Sequence, residues 1–316
     1  MSFLGSLRTL ASLAPTVVRL LTLRRAAAPR EPAGPTGELV RQALEARAAG
    51  RREEAATLYR RVLEFRRTHL AALRGLRDIA LDAERWDEAV EMQERLAALA
   101  PPSERGREAE TLAAVHYQAG RAELSRGTIA AAVGHLKSAV RTDRRFVPAA
   151  LALGDAYEAA GDHREAVRAW ERAAEVEPVL PLLARLERVY RHEARPDRMI
   201  ALYRDAVGRA PDDPALALAL GRVYFELEML DEAAEQFEKV EVRASDAPAV
   251  HAFLGAVFER REQWREAFEE YRRALQLGRA FEWPHRCSAC GREAPAWQDR
   301  CAHCGRWNTL RPTSGR

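Results

Sequence analysis

Cysteine is absent from this 316-residue chain until Cys287, and all four cysteines lie in the last 30 residues. A secreted protein framed by disulfides would distribute its cysteines through the fold. Their absence from the rest of the chain excludes such a framework there and indicates a reducing compartment. Lysine is also scarce, since Lys137 and Lys239 are the only two. The other basic residues are arginines spread over the whole chain, which we interpret as genome composition.

The chain has little net charge and none of the common catalytic motifs. Its formal charge is +3, with acidic and basic residues interspersed, which argues against a dedicated nucleic-acid surface. It contains no Walker loop, no GxSxG elbow, no HExxH motif and no dinucleotide fingerprint. We therefore expect no enzymatic activity, no small-molecule substrate and no nucleic-acid partner. Charged residues make up 31% of the chain and hydrophobic residues 47%, which predicts a folded protein rather than a disordered one.

The N-terminal segment lacks an uninterrupted apolar run. A membrane-spanning helix needs about 20 largely apolar residues, whereas Arg8, Pro15 and Arg19 interrupt this stretch. We predict that residues 1–25 form an amphipathic helix and that residues 1–23 attach the protein to a membrane surface; a helix that caps the repeats is the alternative. Its apolar face would carry residues at helical spacing: Phe3, Leu7, Leu10, Ala14, Val17, Val18 and Leu21.

Residues 26–37 are rich in proline and glycine and are predicted to form a linker. After them the sequence repeats with a period of about 34 residues, the length of a tetratricopeptide (TPR) unit. In the clearest copy, Gly154 and Ala166 are small where two helices of a hairpin approach closely. Tyr157 and Trp170 would fill the space between the helices, and Pro178 would stop the second one.

The same pattern predicts seven copies between residues 38 and 281, which start near residues 36, 70, 113, 147, 180, 214 and 248. Only the step from the second copy to the third is longer, by about nine residues, which predicts either a loop or an extended helix there. We therefore expect an all-α fold, a TPR α-solenoid of about seven helical hairpins.

TPR arrays bind peptides or other proteins on the face lined by the first helix of each hairpin. An aromatic and basic lining suits a partner with acidic and apolar residues; the alternative is that these are ordinary solvated positions of helices. The candidate partner-binding residues at this face are Tyr117, Arg121, Arg188, Arg191, Arg222 and Phe225.

The four cysteines form two CxxC knuckles, Cys287–Cys290 and Cys301–Cys304, each followed by a glycine. Two such knuckles supply four thiolates in a tetrahedral arrangement, so we predict one bound Zn²⁺ or Fe ion. Two disulfides or free thiols are the alternatives. Gly291 and Gly305 would allow a tight turn with positive φ after each knuckle. We interpret His303, inside the second knuckle, as an exposed spacer.

Residues 282–312 are too few to bury a sufficient core, so a metal ion must supply much of their folding energy. Three tryptophans, Trp283, Trp297 and Trp307, are expected to pack over the site and against the last repeat. Because the junction after that repeat is short, we expect the metal-binding domain to dock on the final hairpin, near Arg222 and Phe225.

The order of these parts resembles the lipopolysaccharide assembly protein B family (LapB, also called YciM), in which a membrane segment and a TPR array precede a rubredoxin-like domain. The most specific match is the ending HRCSACGREAPAWQDRCAHCGRWNTLRP. The resemblance implies that Cys287, Cys290, Cys301 and Cys304 are the metal ligands.

The resemblance further implies a regulator of lipopolysaccharide synthesis at the cytoplasmic face of the inner membrane. Its expected partners are the protease FtsH and the deacetylase LpxC, whose degradation it would promote. A generic TPR scaffold for an unrelated complex is the main alternative. A rubredoxin-like electron carrier and a nucleic-acid-binding zinc ribbon are further alternatives; the ribbon would use the basic residues of the tail, but no basic stripe accompanies it on the repeats.

Overall fold

The computed structural model describes residues 34–277 and 285–313. The predicted amphipathic helix of residues 1–25 and most of the linker of residues 26–37 lie outside these ranges, and so does Trp283. Within the two described ranges, no helix combines the length and the apolar character that crossing a lipid bilayer requires.

Residues 34–277 form fourteen α-helices, which follow one another as seven helical hairpins. The predicted all-α fold of about seven TPR hairpins is therefore confirmed. The helices are α1 (Pro35–Ala48), α2 (Arg52–Phe65), α3 (Leu70–Asp82), α4 (Trp86–Leu99), α5 (Arg105–Arg126), α6 (Ile129–Thr142), α7 (Val147–Ala159), α8 (His163–Val176), α9 (Leu180–His192), α10 (Pro196–Arg209), α11 (Pro214–Glu226), α12 (Leu230–Arg243), α13 (Pro248–Arg260) and α14 (Trp264–Leu277).

The chain divides into two compact units between Val115 and His116, within α5. The first unit contains α1 to α4 and the beginning of α5, and its core includes the fully buried Tyr59 and Leu73. The second unit contains the remaining helices and a three-stranded antiparallel sheet with the order β2-β1-β3. Its strands are β1 (His285–Cys287), β2 (Glu293–Ala294) and β3 (Leu310–Pro312).

In four of the seven hairpins, a glycine of the first helix faces a large side chain of the second. A Cβ atom at Gly154 would lie 2.0 Å from the indole nitrogen of Trp170, whose side chain is fully buried. Gly221 stands in the same relation to Phe237, at 2.4 Å. The predicted role of Gly154, close approach of the two helices, is thus what the packing requires.

The turn inside each hairpin contains one residue with positive φ. Glycine occupies this position in three hairpins and a non-glycine residue in the other four: Gly50, Glu84, Gly127, Gly161, Ala194, Glu228 and Glu262. The long interval between Glu84 and Gly127 is taken up by α5, which has 22 residues where α3 and α7 have 13. The sequence predicted either a loop or an extended helix in the long step from the second copy to the third, and the structure has the extended helix.

Replacing Ala194 by glycine is expected to stabilise the protein by up to about 1 kcal/mol. Ala194 has φ 53°, and a left-handed conformation costs an L-residue roughly 1–2 kcal/mol, part of which the greater unfolded-state entropy of glycine offsets. The matched control is Gly161→Ala, which places a side chain at φ +82° with no atom within 4 Å of its Cβ. Urea unfolding should move the two midpoints in opposite directions; a destabilised Ala194→Gly variant would contradict this account.

Candidate metal centre

The two cysteine knuckles have the same backbone hydrogen bonds. The N–H of Gly291 donates to the carbonyl of Cys287 at 2.8 Å, and the N–H of Gly305 donates to the carbonyl of Cys301 at 2.9 Å. Both glycines have positive φ, 73° and 69°, as predicted. Further backbone N–H groups donate to the sulfurs of Cys287, Cys290 and Cys304, so both knuckles contribute to one site.

The sulfur positions fit a tetrahedral metal site. The Sγ atoms of Cys287 and Cys304 are 3.7 Å apart, and those of Cys290 and Cys301 are 3.8 Å apart. All four lie within 4.8 Å of one another. A tetrahedron with metal–sulfur bonds of about 2.3 Å has edges of about 3.8 Å, whereas a disulfide requires about 2.05 Å. The cysteines are therefore free of disulfides and spaced for a single ion.

The site favours thiolate at one cysteine but cannot hold four thiolates without a cation. Burial raises the pKa of Cys287, but the hydrogen bond with the Thr309 hydroxyl and those from two backbone N–H groups outweigh it, and this pKa falls to about 6. Burial and the neighbouring sulfurs raise the pKa of Cys304 to about 12. Since metals bind thiolates, a divalent or trivalent ion would replace the remaining protons of the cluster.

A small apolar cluster surrounds the sulfurs. Cys287, Cys301 and Leu310 are buried together, and Trp297 packs against them from one side. Arg286 of β1 pairs with Glu293 of β2, with 2.6 Å between Nη2 and Oε1. The predicted packing of Trp297 over the site is seen in the structure. Residues 285–312 are called the ribbon below.

The ribbon contacts the helices through Trp307. Its ring meets Tyr117 of α5 edge-on at 5.3 Å between centroids and Phe146 at 6.1 Å. The hydroxyl of Tyr117 donates to the carboxylate of Asp299. Asn308 donates from Nδ2 to the carbonyl of Arg145 at 2.7 Å. A three-ring aromatic cluster with polar bonds on two sides thus holds the ribbon against the array.

The ribbon docks on the array, as predicted, but its described contacts are with earlier hairpins rather than with the final one. Its contacts described above run to α5 and to the loop before α7, and Arg311 pairs with Glu177 at 3.2 Å. Trp307 packs on Tyr117 rather than on the last repeat.

The six predicted partner-binding residues fall into three environments. Tyr117 is only 3% exposed and lies under the ribbon, so this chain, rather than a partner, covers it. Arg121 stacks over the Tyr117 ring at 5.8 Å. It lines a cleft of about 400 Å³ between the ribbon and the first helices of three hairpins, together with Leu151, Arg185, Trp297 and Asp299.

The other three arginines are paired with carboxylates of neighbouring hairpins. Arg188 lies 2.6 Å from Glu158. Arg191 and Arg222 both bind Glu187, each at 2.6 Å, and both also bind Glu226. Their positive charge is therefore largely compensated within the array, in contrast to the basic lining that the sequence indicated.

Phe225 lies beside the same network. Its ring meets Phe253 of α13 at 6.3 Å between centroids, and the guanidinium of Arg260 lies over it at 5.4 Å. The described ring contacts of Phe225 are therefore with α13, whereas those of Tyr117 are with the ribbon and Phe146.

Glu187→Gln is expected to cost about 2 kcal/mol of unfolding free energy at neutral pH and less in acid. Although burial raises its pKa, hydrogen bonds from Arg222, Tyr203 and Arg191 hold the pKa of Glu187 at about 2, below the ordinary 4.5. A carboxylate with a depressed folded-state pKa stabilises above its unfolded pKa, and this contribution is lost as pH falls toward 2.

The measurement is urea unfolding of wild type and variant at pH 7 and pH 3. The difference between the two proteins should shrink at the lower pH. Glu235→Gln, which removes an exposed pair with Lys239, is the control and should have almost no effect. A Glu187→Gln difference that is independent of pH would show that the carboxylate charge is not what stabilises the network.

Sequence reasoning missed three residues that organise the site. Asp299 and Asn308 lie in the ribbon and had no motif to mark them, because their partners Tyr117 and Arg145 are more than 150 positions away. Glu187 could have been found, since it precedes Arg191 by four residues on α9, the spacing of a helical ion pair.

Family comparisons identify both parts of the chain. Residues 285–312 match the LapB zinc-ribbon family model, described as a rubredoxin metal binding domain. Residues 114–179 and 191–257 match two tetratricopeptide repeat models. The resemblance to the LapB family is thereby confirmed in its two components, a TPR array and the metal-binding ribbon that ends it. No curated protein sequence matches the chain.

Several solved structures align with about half of this chain. YrrB, described as a TPR protein with an unusual peptide-binding site, is 19% identical over 52% of this chain and 85% of its own, with a TM-score of 0.37. MamA from Desulfovibrio magneticus RS-1 is 22% identical over 54% of this chain and 96% of its own, with a TM-score of 0.39.

Proposed function

We propose that this protein is a non-enzymatic adaptor whose TPR array and ribbon together bind a protein partner. The observation that carries the proposal is the docked ribbon: Trp307, Tyr117 and Phe146 join it to the array. The cleft of about 400 Å³ beside this contact is lined by both parts. A partner that fills the cleft would contact both, so its affinity would depend on a folded ribbon.

We further propose that Cys287, Cys290, Cys301 and Cys304 hold one Zn²⁺ or Fe ion, and that the ion has a structural role. Four thiolates fill a tetrahedral shell and leave no open position for a substrate. The ion would fold the ribbon, and the ribbon would complete the cleft. A pure electron carrier would need iron, so the visible absorption of the purified protein separates that alternative from a zinc-stabilised adaptor.

The charges around the cleft favour a partner that presents an acidic and an apolar group. Arg185 is engaged by Asp155 at 2.9 Å, whereas Arg121 has a ring beneath it and no ion pair in the described part of the chain. A partner carboxylate would therefore bind at Arg121, while an apolar side chain would pack on Leu151 and Trp297.

The resemblance to LapB supports a finer proposal. In this proposal the adaptor acts at the cytoplasmic face of the inner membrane, attached through residues 1–23, and helps FtsH degrade LpxC. The TPR repeats and the ribbon support the general adaptor role. The choice of these partners rests on the family resemblance.

Arg121→Glu is expected to reduce capture of the partner from native membranes without unfolding the array. Its matched control is Arg164→Glu, a charge reversal on α8 at an exposed position outside the cleft. Affinity purification followed by mass spectrometry measures the captured proteins, and circular dichroism checks the helices. Equal capture by both variants would remove the cleft from the proposed binding surface.

The finer proposal has its own test. Depletion of the protein should raise the cellular level of LpxC, because its degradation would slow. If the level of LpxC is unchanged while Arg121→Glu still loses a different partner, the adaptor role stands and the assignment to lipopolysaccharide control fails.

A further inference from the structure

A second cleft lies between α6 and α8, which are the second helices of two successive hairpins, and α7 forms its floor. Its volume is about 600 Å³, within the range of pockets that bind small ligands. The floor and walls are mainly apolar: Val140, Ala150, Leu153, Ala169, Ala173 and Val176. Leu153 is 6% exposed, whereas Val176 at the rim is 39% exposed. The repeat thus leaves an open apolar trough that no described side chain fills.

Four cations surround this trough. Lys137, Arg141 and Arg144 come from α6 and the loop after it, and Arg172 comes from α8. The Lys137 ammonium lies 5.4 Å from the centre of the Tyr157 ring. Within the described part of the chain, the three arginines have neither a carboxylate nor a hydrogen-bond acceptor. Of the two carboxylates at the rim, Glu165 is already paired with Arg168 at 2.5 Å, and Glu175 is the other.

The neighbouring cleft, between α8 and α10, shows that this charge is not a general feature of the repeat. It has about 360 Å³. Because α6, α8 and α10 all have 14 residues, their positions correspond one to one. Lys137 corresponds to Glu171, Arg141 to Glu175 and Arg172 to Asp205. The same three positions therefore carry positive charge in the first cleft and negative charge in the second.

The neighbouring cleft also uses its charges internally. Tyr190 donates its hydroxyl to Glu171 at 2.7 Å, and Arg209 donates to the carbonyl of Ala174 at 3.3 Å. In the first cleft, Lys137 instead interacts with Tyr157, and the three arginines have no such bonds in the described structure. Exposed arginines without partners lose little by remaining in water, but three arginines and one lysine that converge on one apolar trough provide a receptor for an anion with an apolar body.

We propose that the cleft between α6 and α8 binds an amphipathic anion, an alkyl or acyl chain that carries a phosphate group. The chain lies in the trough over Leu153 and Ala169, and the phosphate is held by Arg141 and Arg172 from its two sides. Arginine suits this role because its planar guanidinium binds phosphate through two hydrogen bonds. The volume holds a chain of about ten carbons and excludes a folded partner.

The test uses the full-length protein and monomeric decyl phosphate, with binding measured by isothermal titration calorimetry. Inorganic phosphate and decyl maltoside, which supply the head and the chain separately, should bind far more weakly. Arg172→Glu should weaken binding of decyl phosphate by at least about tenfold, because it removes a charge-assisted hydrogen bond and brings a negative charge to the phosphate. Arg164→Glu, an exposed reversal on the same helix, should leave binding unchanged.

A second pair of variants tests the apolar part. Ala169→Phe fills the trough and should abolish binding, whereas Leu202→Phe, at the same position of the neighbouring cleft, should not. Equal affinity in wild type, Arg172→Glu and Ala169→Phe would overturn the proposal, as would tighter binding of an acidic peptide than of decyl phosphate. If vesicles that contain phosphatidylglycerol compete with decyl phosphate, the natural ligand is a membrane lipid. If decyl phosphate binds and these vesicles do not compete, the natural ligand is a soluble molecule.

Discussion

Replacing Cys290 by serine is expected to abolish metal binding and to unfold the ribbon, while the helices of the array stay folded. The ribbon has three short strands, and the described residues of its core are the cysteines, Leu310, Ala294 and Trp297. So little buried surface cannot hold about 30 residues in one conformation. Structural zinc sites contribute about 10–16 kcal/mol of apparent binding free energy in comparable small domains. Loss of one thiolate should therefore remove most of the folding free energy of the ribbon.

The ribbon also shields Tyr117 and Phe146, so its unfolding should be detectable at a distance. Trp307 would leave the aromatic cluster, which changes tryptophan fluorescence, and the ribbon would become sensitive to protease. Far-ultraviolet circular dichroism should change little, because the helices pack on one another. Elemental analysis should give close to one equivalent of zinc plus iron in the wild type and almost none in Cys290→Ser.

His303→Ala is the matched control, because His303 is exposed inside the second knuckle. This variant should keep its metal and its resistance to protease. Wild-type protein that was never exposed to chelator or acid and contains almost no metal would refute the metal centre. A Cys290→Ser variant that keeps the docked ribbon would show instead that the ion is dispensable for folding.

The periodic part of the fold could be predicted because its rules are local. Gly154 and Trp170 lie only 16 positions apart, and one hairpin contains both partners of the packing contact. The two knuckles are also local, since the turn after Cys287 needs only Gly291 and its own backbone bonds. Residue type and spacing therefore contain the required information.

The long-range contacts could not be predicted in the same way. Nothing in the residue type of Asp299 points to Tyr117. The sequence pattern of the ribbon is also equally compatible with docking on α14. The charge of Arg222 was visible in the sequence, but its compensation by Glu187 depends on the register between α9 and α11. Likewise Ala194, unlike Gly161, gives no sign of its positive φ. In each case the deciding partner is set by packing between elements rather than by either segment alone.

The second large expected effect concerns Gly154, where an added methyl group should destabilise the protein by about 3 kcal/mol. In an exposed helix interior, Gly→Ala stabilises by roughly 1 kcal/mol. At Gly154 the new Cβ would lie 2.0 Å from Nε1 and 2.2 Å from Cε2 of Trp170. Trp170 is 0% exposed and cannot move outward without opening the hairpin, and the overpacking cost therefore exceeds the gain in helix propensity.

Gly134→Ala provides the matched control, because Gly134 also lies inside a helix, α6, but has no atom within 4 Å of a built Cβ. Its thermal midpoint should rise, while that of Gly154→Ala should fall. Since the stability of repeat arrays is local, amide hydrogen exchange of α7 and α8 measures the effect where it arises. Amide exchange in α7 and α8 should accelerate in Gly154→Ala. In Gly134→Ala, exchange in the same helices should slow or stay unchanged. If both variants raise the midpoint, Trp170 has room to shift, and close packing of this hairpin does not determine its stability.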